Sequence, residues 1–124
     1  MFAPARLPRA LRIAAYLTCL AGLSWLSLAP AQTLPTPSIS DKLQHGLAYA
    51  GLTAAGLALF ARHPRLAIGF AFVYGAHIEI VQAIMGLGRE ADWLDAGANG
   101  AGVLTTTLIY ALWRRRQRAA PAAP

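Results

Sequence analysis

Residues 66–85 read LAIGFAFVYGAHIEIVQAIM, and Glu79 is the one formally charged side chain in that run. A helix of this length rises about 30 Å, the thickness of a bilayer's hydrocarbon core. Three further runs of similar character flank it: Leu11–Ala29, Leu43–Ala61 and Ala96–Trp113. Inside hydrocarbon only helix satisfies every backbone donor and acceptor of a segment, so the reading is all-α despite many glycines. The chain is expected to form an integral membrane four-helix bundle. The connections follow from composition: Pro30–Ser40 holds three prolines, Arg62–Arg65 is a tight basic turn around Pro64, and Gly86–Asp95 is polar. Residues 1–10 form a basic N-terminus, 11–113 the membrane domain and 114–124 a basic tail.

Charge is sorted along these spans. The five acidic residues (Asp41, Glu79, Glu90, Asp92, Asp95) fall at one end of the apolar runs, and nine of the eleven basic residues fall at the other. Under the positive-inside rule this puts both termini and the Arg62–Arg65 turn in the cytoplasm. Composition agrees. With 56% hydrophobic residues, 13% charged residues and a mean hydropathy of +0.45 over 124 residues, the chain is too apolar for a wettable soluble domain. The net charge of +6 sits in arginine groups beside apolar runs rather than in a nucleic-acid footprint, so no nucleic-acid partner is expected. Trp25, Trp93 and Trp113 lie near span ends, where amphipathic rings favour the interface. Cys19 has no second thiol and is expected as a small packing residue. A competing reading of the N-terminus, from Ala29-Pro30-Ala31 after a basic start and an apolar stretch, is a cleavable secretory signal.

The remaining polar residues converge on the outer side. Asp41, Lys42, His45 and Tyr49 open the second span, Glu79 and Gln82 lie in the last turns of the third, and Arg89, Asp92, Asp95 and Asn99 lead into the fourth. Spacings of three and four place each set on one helix face. Small residues accompany them: Gly46, Ala50 and Ala54; Gly75, Ala76 and Ala83; and Gly102. Such residues let helices approach closely, which turns the polar faces into the bundle. An acidic residue at mid-span costs about 2.5–3.5 kcal/mol, and Glu79, about 9 Å from the outer end, costs less but still needs compensation. Arg89, Lys42 and His45 are candidate charge partners, and Gln82 is a candidate hydrogen-bond donor. His45 and Glu79 form a candidate acid–base pair. Any one of these residues alone is more often a helix cap or a packing hydrogen bond, as Asp41, Asp92 or Asp95 would be at a helix start. His77, two residues before Glu79, is expected to face away from the cluster, and His63 sits in the cytoplasmic turn.

The pattern Asp41-Lys42-x-x-His45-x-x-x-Tyr49, then Glu79-x-x-Gln82, then Arg89-x-x-Asp92-x-x-Asp95-x-x-x-Asn99-x-x-Gly102 resembles the VanZ-like membrane proteins. The resemblance covers Asp41 to about Trp113. It implies a protein of the bacterial cell envelope, in a family whose founding member is associated with low-level resistance to teicoplanin and whose biochemical activity is not settled. It maps working positions onto Asp41, Lys42, His45, Glu79, Gln82, Arg89, Asp92, Asp95 and Asn99.

The expected function is therefore an outward-facing polar pocket that engages an envelope lipid or lipid-linked component. Lys42 and Arg89 would hold an anionic headgroup, and Asp92 and Asp95 would orient Arg89 or hold a divalent cation such as Mg²⁺. The alternatives are a non-enzymatic scaffold that partners another membrane protein, and a proton-linked transporter. No Gly-x-Ser-x-Gly or His-Glu-x-x-His motif occurs, which disfavours familiar hydrolase chemistry.

Overall fold

The computed structural model describes residues 7–29, 41–86 and 92–119. It contains four helices: α1 Arg9–Leu28, α2 Asp41–Leu59, α3 Pro64–Met85 and α4 Trp93–Ala119, with no strand among the described residues. The all-α reading therefore stands, with each helix on an expected run.

Local chemistry sets the boundaries. Ala29 is extended (φ −63°, ψ 143°) where α1 stops, as a residue preceding proline must be. Pro64 opens α3 at its first turn, where a missing N–H costs nothing. Gly86 closes the same helix with φ 58°, the left-handed geometry that glycine adopts without a Cβ clash. Asp92 precedes α4, and its Oδ1 accepts from Leu94 N at 2.8 Å, so one of the helix's unpaired N–H groups is capped. The fourth helix is longer than the expected 96–113: it starts three residues earlier and continues through Arg114–Arg118, whose charges suit a helix C-terminus.

α2 and α4 form the tightest pair, with α3 against both and α1 against the flank of α2 and α3. Where α2 and α4 meet, Thr106 Oγ1 donates to Ala50 O at 3.2 Å. The core gathers Tyr16, Tyr49, Leu52, Ala71 and Val103. α1 is held mainly at its edges, by Arg12 Nη1 donating to Leu59 O at 3.0 Å and by a short hydrogen bond between Ser24 and Tyr74.

The exterior is apolar. Leu17, Leu66, Val73, Ile80, Ile84, Leu104, Leu108 and Ile109 all point outward, as do Trp25, Trp93 and Trp113. By length and composition α1 and α3 are able to cross a membrane. α2 and α4 occupy the other two expected spans but carry the polar faces, Asp41 to His45 and Asp95 to Asn99, and α4 also carries the arginine run. Cys19 is exposed on α1, not packed as expected, because almost all of α1 faces outward.

Candidate functional site

The site lies at one end of the bundle, where the first turns of α2 and α4 meet the last turns of α3. Helix spacing delivers Asp41, Lys42 and His45 from α2, Asp95 and Asn99 from α4, and Glu79 from α3. At the rim, Lys42 Nζ is 2.7 Å from Asp92 Oδ2 and 2.5 Å from Asp95 Oδ1. This clasp holds Asp92 below the ordinary carboxyl range, chiefly through the Lys42 hydrogen bond and then through its bond from Leu94 N. It raises Lys42 above the ordinary lysine value through Asp92 first and Asp95 second.

Beneath the clasp lies His45, with a side chain 11% exposed. Its Nε2 faces two carboxylates, Asp95 Oδ2 at 3.9 Å and Asp41 Oδ2 at 4.0 Å. Its Nδ1 is 2.9 Å from Asn99 Oδ1 and 3.6 Å from Glu79 Oε1. Asn99 Nδ2 in turn donates to Glu79 Oε1 at 3.0 Å. A carboxylate only accepts, so the amide nitrogen must be the atom turned to Glu79. The amide oxygen is then left for His45, and Nδ1 must donate. The chain His45–Asn99–Glu79 thus fixes the ring's orientation and, in the neutral form, leaves the Nε2 lone pair pointing at Asp41 and Asp95.

Tyr49 forms the floor. It is 1% exposed, and its ring is so close to Gly75 that a β-carbon there would lie 3.1 Å from it. Its hydroxyl and Glu79 Oε2 are buried without a hydrogen-bond partner among the described residues. An unpaired buried polar atom is unusual and marks a place where a proton, water or ligand has something to gain.

The structure brings together Asp41, Lys42, His45, Glu79, Asp92, Asp95 and Asn99, with Tyr49 below them. It departs from the expected pairing in three respects. Glu79 keeps His45, one of its expected partners, but takes its hydrogen bond from Asn99, while Lys42 serves the α4 carboxylates instead of Glu79. Gln82 turns to α1, where its Nε2 donates to Ser27 O at 2.7 Å, so its amide nitrogen serves helix packing. Asp92 and Asp95 are bridged by an ammonium, which occupies the oxygens a cation between them would need. Arg89 lies outside the described residues.

Of the small-residue stripes, Gly46, Ala50, Gly75 and Gly102 face inward, whereas Ala54, Ala76 and Ala83 are exposed. His77 is exposed beside Tyr74, away from the cluster as expected, and His63 lies exposed ahead of α3. Sequence reasoning missed the Ser24–Tyr74 and Gln82–Ser27 links that seat α1. The Ser24 hydroxyl inside an apolar run was the available signal for the first, since such hydroxyls seek a partner; the second uses the Ser27 backbone carbonyl, which no side chain marks. No protein-family model, curated protein or solved structure matches the chain.

Proposed function

We propose that this chain is a VanZ-like integral membrane protein of the bacterial cytoplasmic membrane. It crosses four times, with both termini inside and the polar pocket outside. There it engages an envelope lipid or lipid-linked headgroup and influences tolerance to glycopeptide-type antibiotics. The observation that carries this reading is the His45–Asn99–Glu79 linkage, which joins α2, α4 and α3 almost out of solvent under a charged rim. A packing device alone would favour apolar side chains at this depth, since buried ionisable groups are costly. Orientation is supported by the described arginines, Arg9, Arg12, Arg62, Arg65 and those of the Arg114–Arg118 run, which lie at the helix ends opposite the pocket. Lys42 supplies cationic character for an anionic headgroup, and His45 with Glu79 supplies proton-transfer capacity.

A second reading, a non-enzymatic scaffold for an envelope assembly, is favoured by Gln82, whose amide serves helix packing. Conservative variants separate the two. Glu79→Gln, His45→Gln and Asp95→Asn are compared with wild type for membrane abundance and for antibiotic tolerance in a strain that shows the phenotype. Normal abundance with lost tolerance supports a working pocket; lost abundance supports the scaffold. Reporter fusions after Ser38, Pro64 and Gly88 test orientation, and periplasmic activity at Pro64 overturns it.

A further inference from the structure

His45 raises a question that the pocket's hydrogen bonds leave open. Asn99 Oδ1 accepts a hydrogen bond from its Nδ1, so the neutral ring turns a lone pair at Nε2 toward Asp41 Oδ2 and Asp95 Oδ2, at 4.0 and 3.9 Å. With the ring neutral, three electron-rich atoms face one another here and repel unless a proton or a cation lies between them. Lys42 does not fill this role, because its ammonium sits on Asp95 Oδ1 and Asp92 Oδ2 and leaves Asp95 Oδ2 turned to the ring. On the other side of the same ring a second polar group lacks a donor. Glu79, with a side chain 9% exposed, keeps Oε2 buried with no hydrogen-bond partner among the described residues.

We propose that Asp41, His45 and Asp95 form a binding site for a divalent transition ion of the zinc or manganese class. Its ligands are His45 Nε2, Asp41 Oδ2 and Asp95 Oδ2. One donor atom from each residue lies within 4.8 Å of the others. Adjacent ligands of a zinc-like ion, each about 2.0–2.2 Å from it, stand about 3.0–3.5 Å apart. The two His45 separations, 3.9 and 4.0 Å, are somewhat longer than that range, and Asp41, whose side chain is 57% exposed, has room to move inward.

The second shell has the form that metal sites use, a ligand histidine donating its other N–H to a fixed acceptor. One imidazole with two carboxylates selects zinc or manganese over Mg²⁺ and Ca²⁺, which take oxygen ligands. Three protein ligands leave positions open on the exposed Asp41 side, where water or an anionic headgroup oxygen completes the shell. The biological meaning of this ion rests on the pocket reading above; its binding does not.

The test is calorimetric titration of the full chain, purified in detergent without an affinity tag, with Zn²⁺ and with Mn²⁺. One ion per chain is expected. Affinity should fall by about tenfold or more in Asp41→Asn and be lost in His45→Gln, while His63→Gln and His77→Gln bind as wild type does. Asp41 is a surface residue, so its variant remains interpretable if His45→Gln fails to fold. The proposal is overturned by the absence of saturable binding of both metals, by unchanged affinity in Asp41→Asn, or by loss of binding in a His63 or His77 variant. It is also overturned by imidazole NMR showing a proton retained on His45 Nε2 with metal present. Metal binding without any effect of the pocket variants on antibiotic tolerance would sink the functional reading and leave this one standing. The reverse result would do the opposite.

Discussion

Gly102 of α4 rests on the backbone of Gly46 in α2. A β-carbon at Gly102 would overlap the Gly46 carbonyl oxygen and come within 3.0 Å of Ala50 N. This contact brings the first turns of the two helices close enough for Lys42 to reach Asp95 and for His45 to reach Asn99. The pocket therefore depends on a position that has no side chain.

Replacing Gly102 by Ala or Val is expected to force α2 and α4 apart, because the obstacle is backbone. Overpacking of this kind costs about 1–3 kcal/mol. Gly51 and Gly69 have open space around the same hypothetical carbon, so Gly51→Ala and Gly69→Ala should be neutral or stabilising by up to about 1 kcal/mol through helix propensity. Thermal denaturation in detergent would show the contrast. Equal tolerance of alanine at all three positions would refute the close contact.

Asn99 and Glu79 should be energetically coupled. Removing Asn99 leaves a buried carboxylate oxygen without its donor, at a cost of about 1–3 kcal/mol. Removing Glu79 at the same time removes the group that was stranded. In a double-mutant cycle with Asn99→Ala and Glu79→Ala, the combined loss should therefore fall short of the sum by about 0.5–3 kcal/mol. Additivity to within about 0.5 kcal/mol would mean that the hydrogen bond contributes nothing of its own.

The rim clasp gives the protein an acid-sensitive edge. The folded-state value of Asp92 lies below its ordinary 3.8, so its contribution is fully present above that value and is lost as pH falls through the lowered one. Lys42 lies above its ordinary 10.5, so its contribution is fully present below that value and is lost as pH rises through the raised one. Between the two ordinary values the clasp is insensitive to pH. Melting temperatures of wild type should drop more steeply below about pH 4 than those of Lys42→Gln. Because the pair is solvated, added salt should narrow the difference. Parallel acid profiles for the two proteins would rule the clasp out.

Gln82 should act on α1 and leave the pocket intact. Its loss in Gln82→Ala removes a hydrogen bond to Ser27 O, for a change of about 0.5–1.5 kcal/mol. Faster amide exchange confined to the C-terminal half of α1, with normal metal titration, is the expected pattern. Exchange rising instead in the first turns of α2 and α4 would show that Gln82 belongs to the site after all.

The primary sequence by itself determined the helices. Their apolar runs, the proline and glycine stops, and the three- and four-residue spacing of polar groups are local properties, and local steric and periodic rules read them directly. The same spacing predicted that Asp41, His45, Glu79, Asp95 and Asn99 share one end of the bundle. Pairing was not legible. Lys42 could equally have served Glu79, and Gln82 could equally have donated to it. The choice follows from helix rotation and separation, which are set by the Gly46–Gly102 contact and by the ring of Tyr49 against Gly75. Small-residue spacing marked Gly46, Gly75 and Gly102 as places of close approach, but which of them meet, and at what rotation, is decided between residues far apart in the chain. Only tertiary packing could decide that Asn99 stands between His45 and Glu79, and so which nitrogen of the ring is left facing the two aspartates.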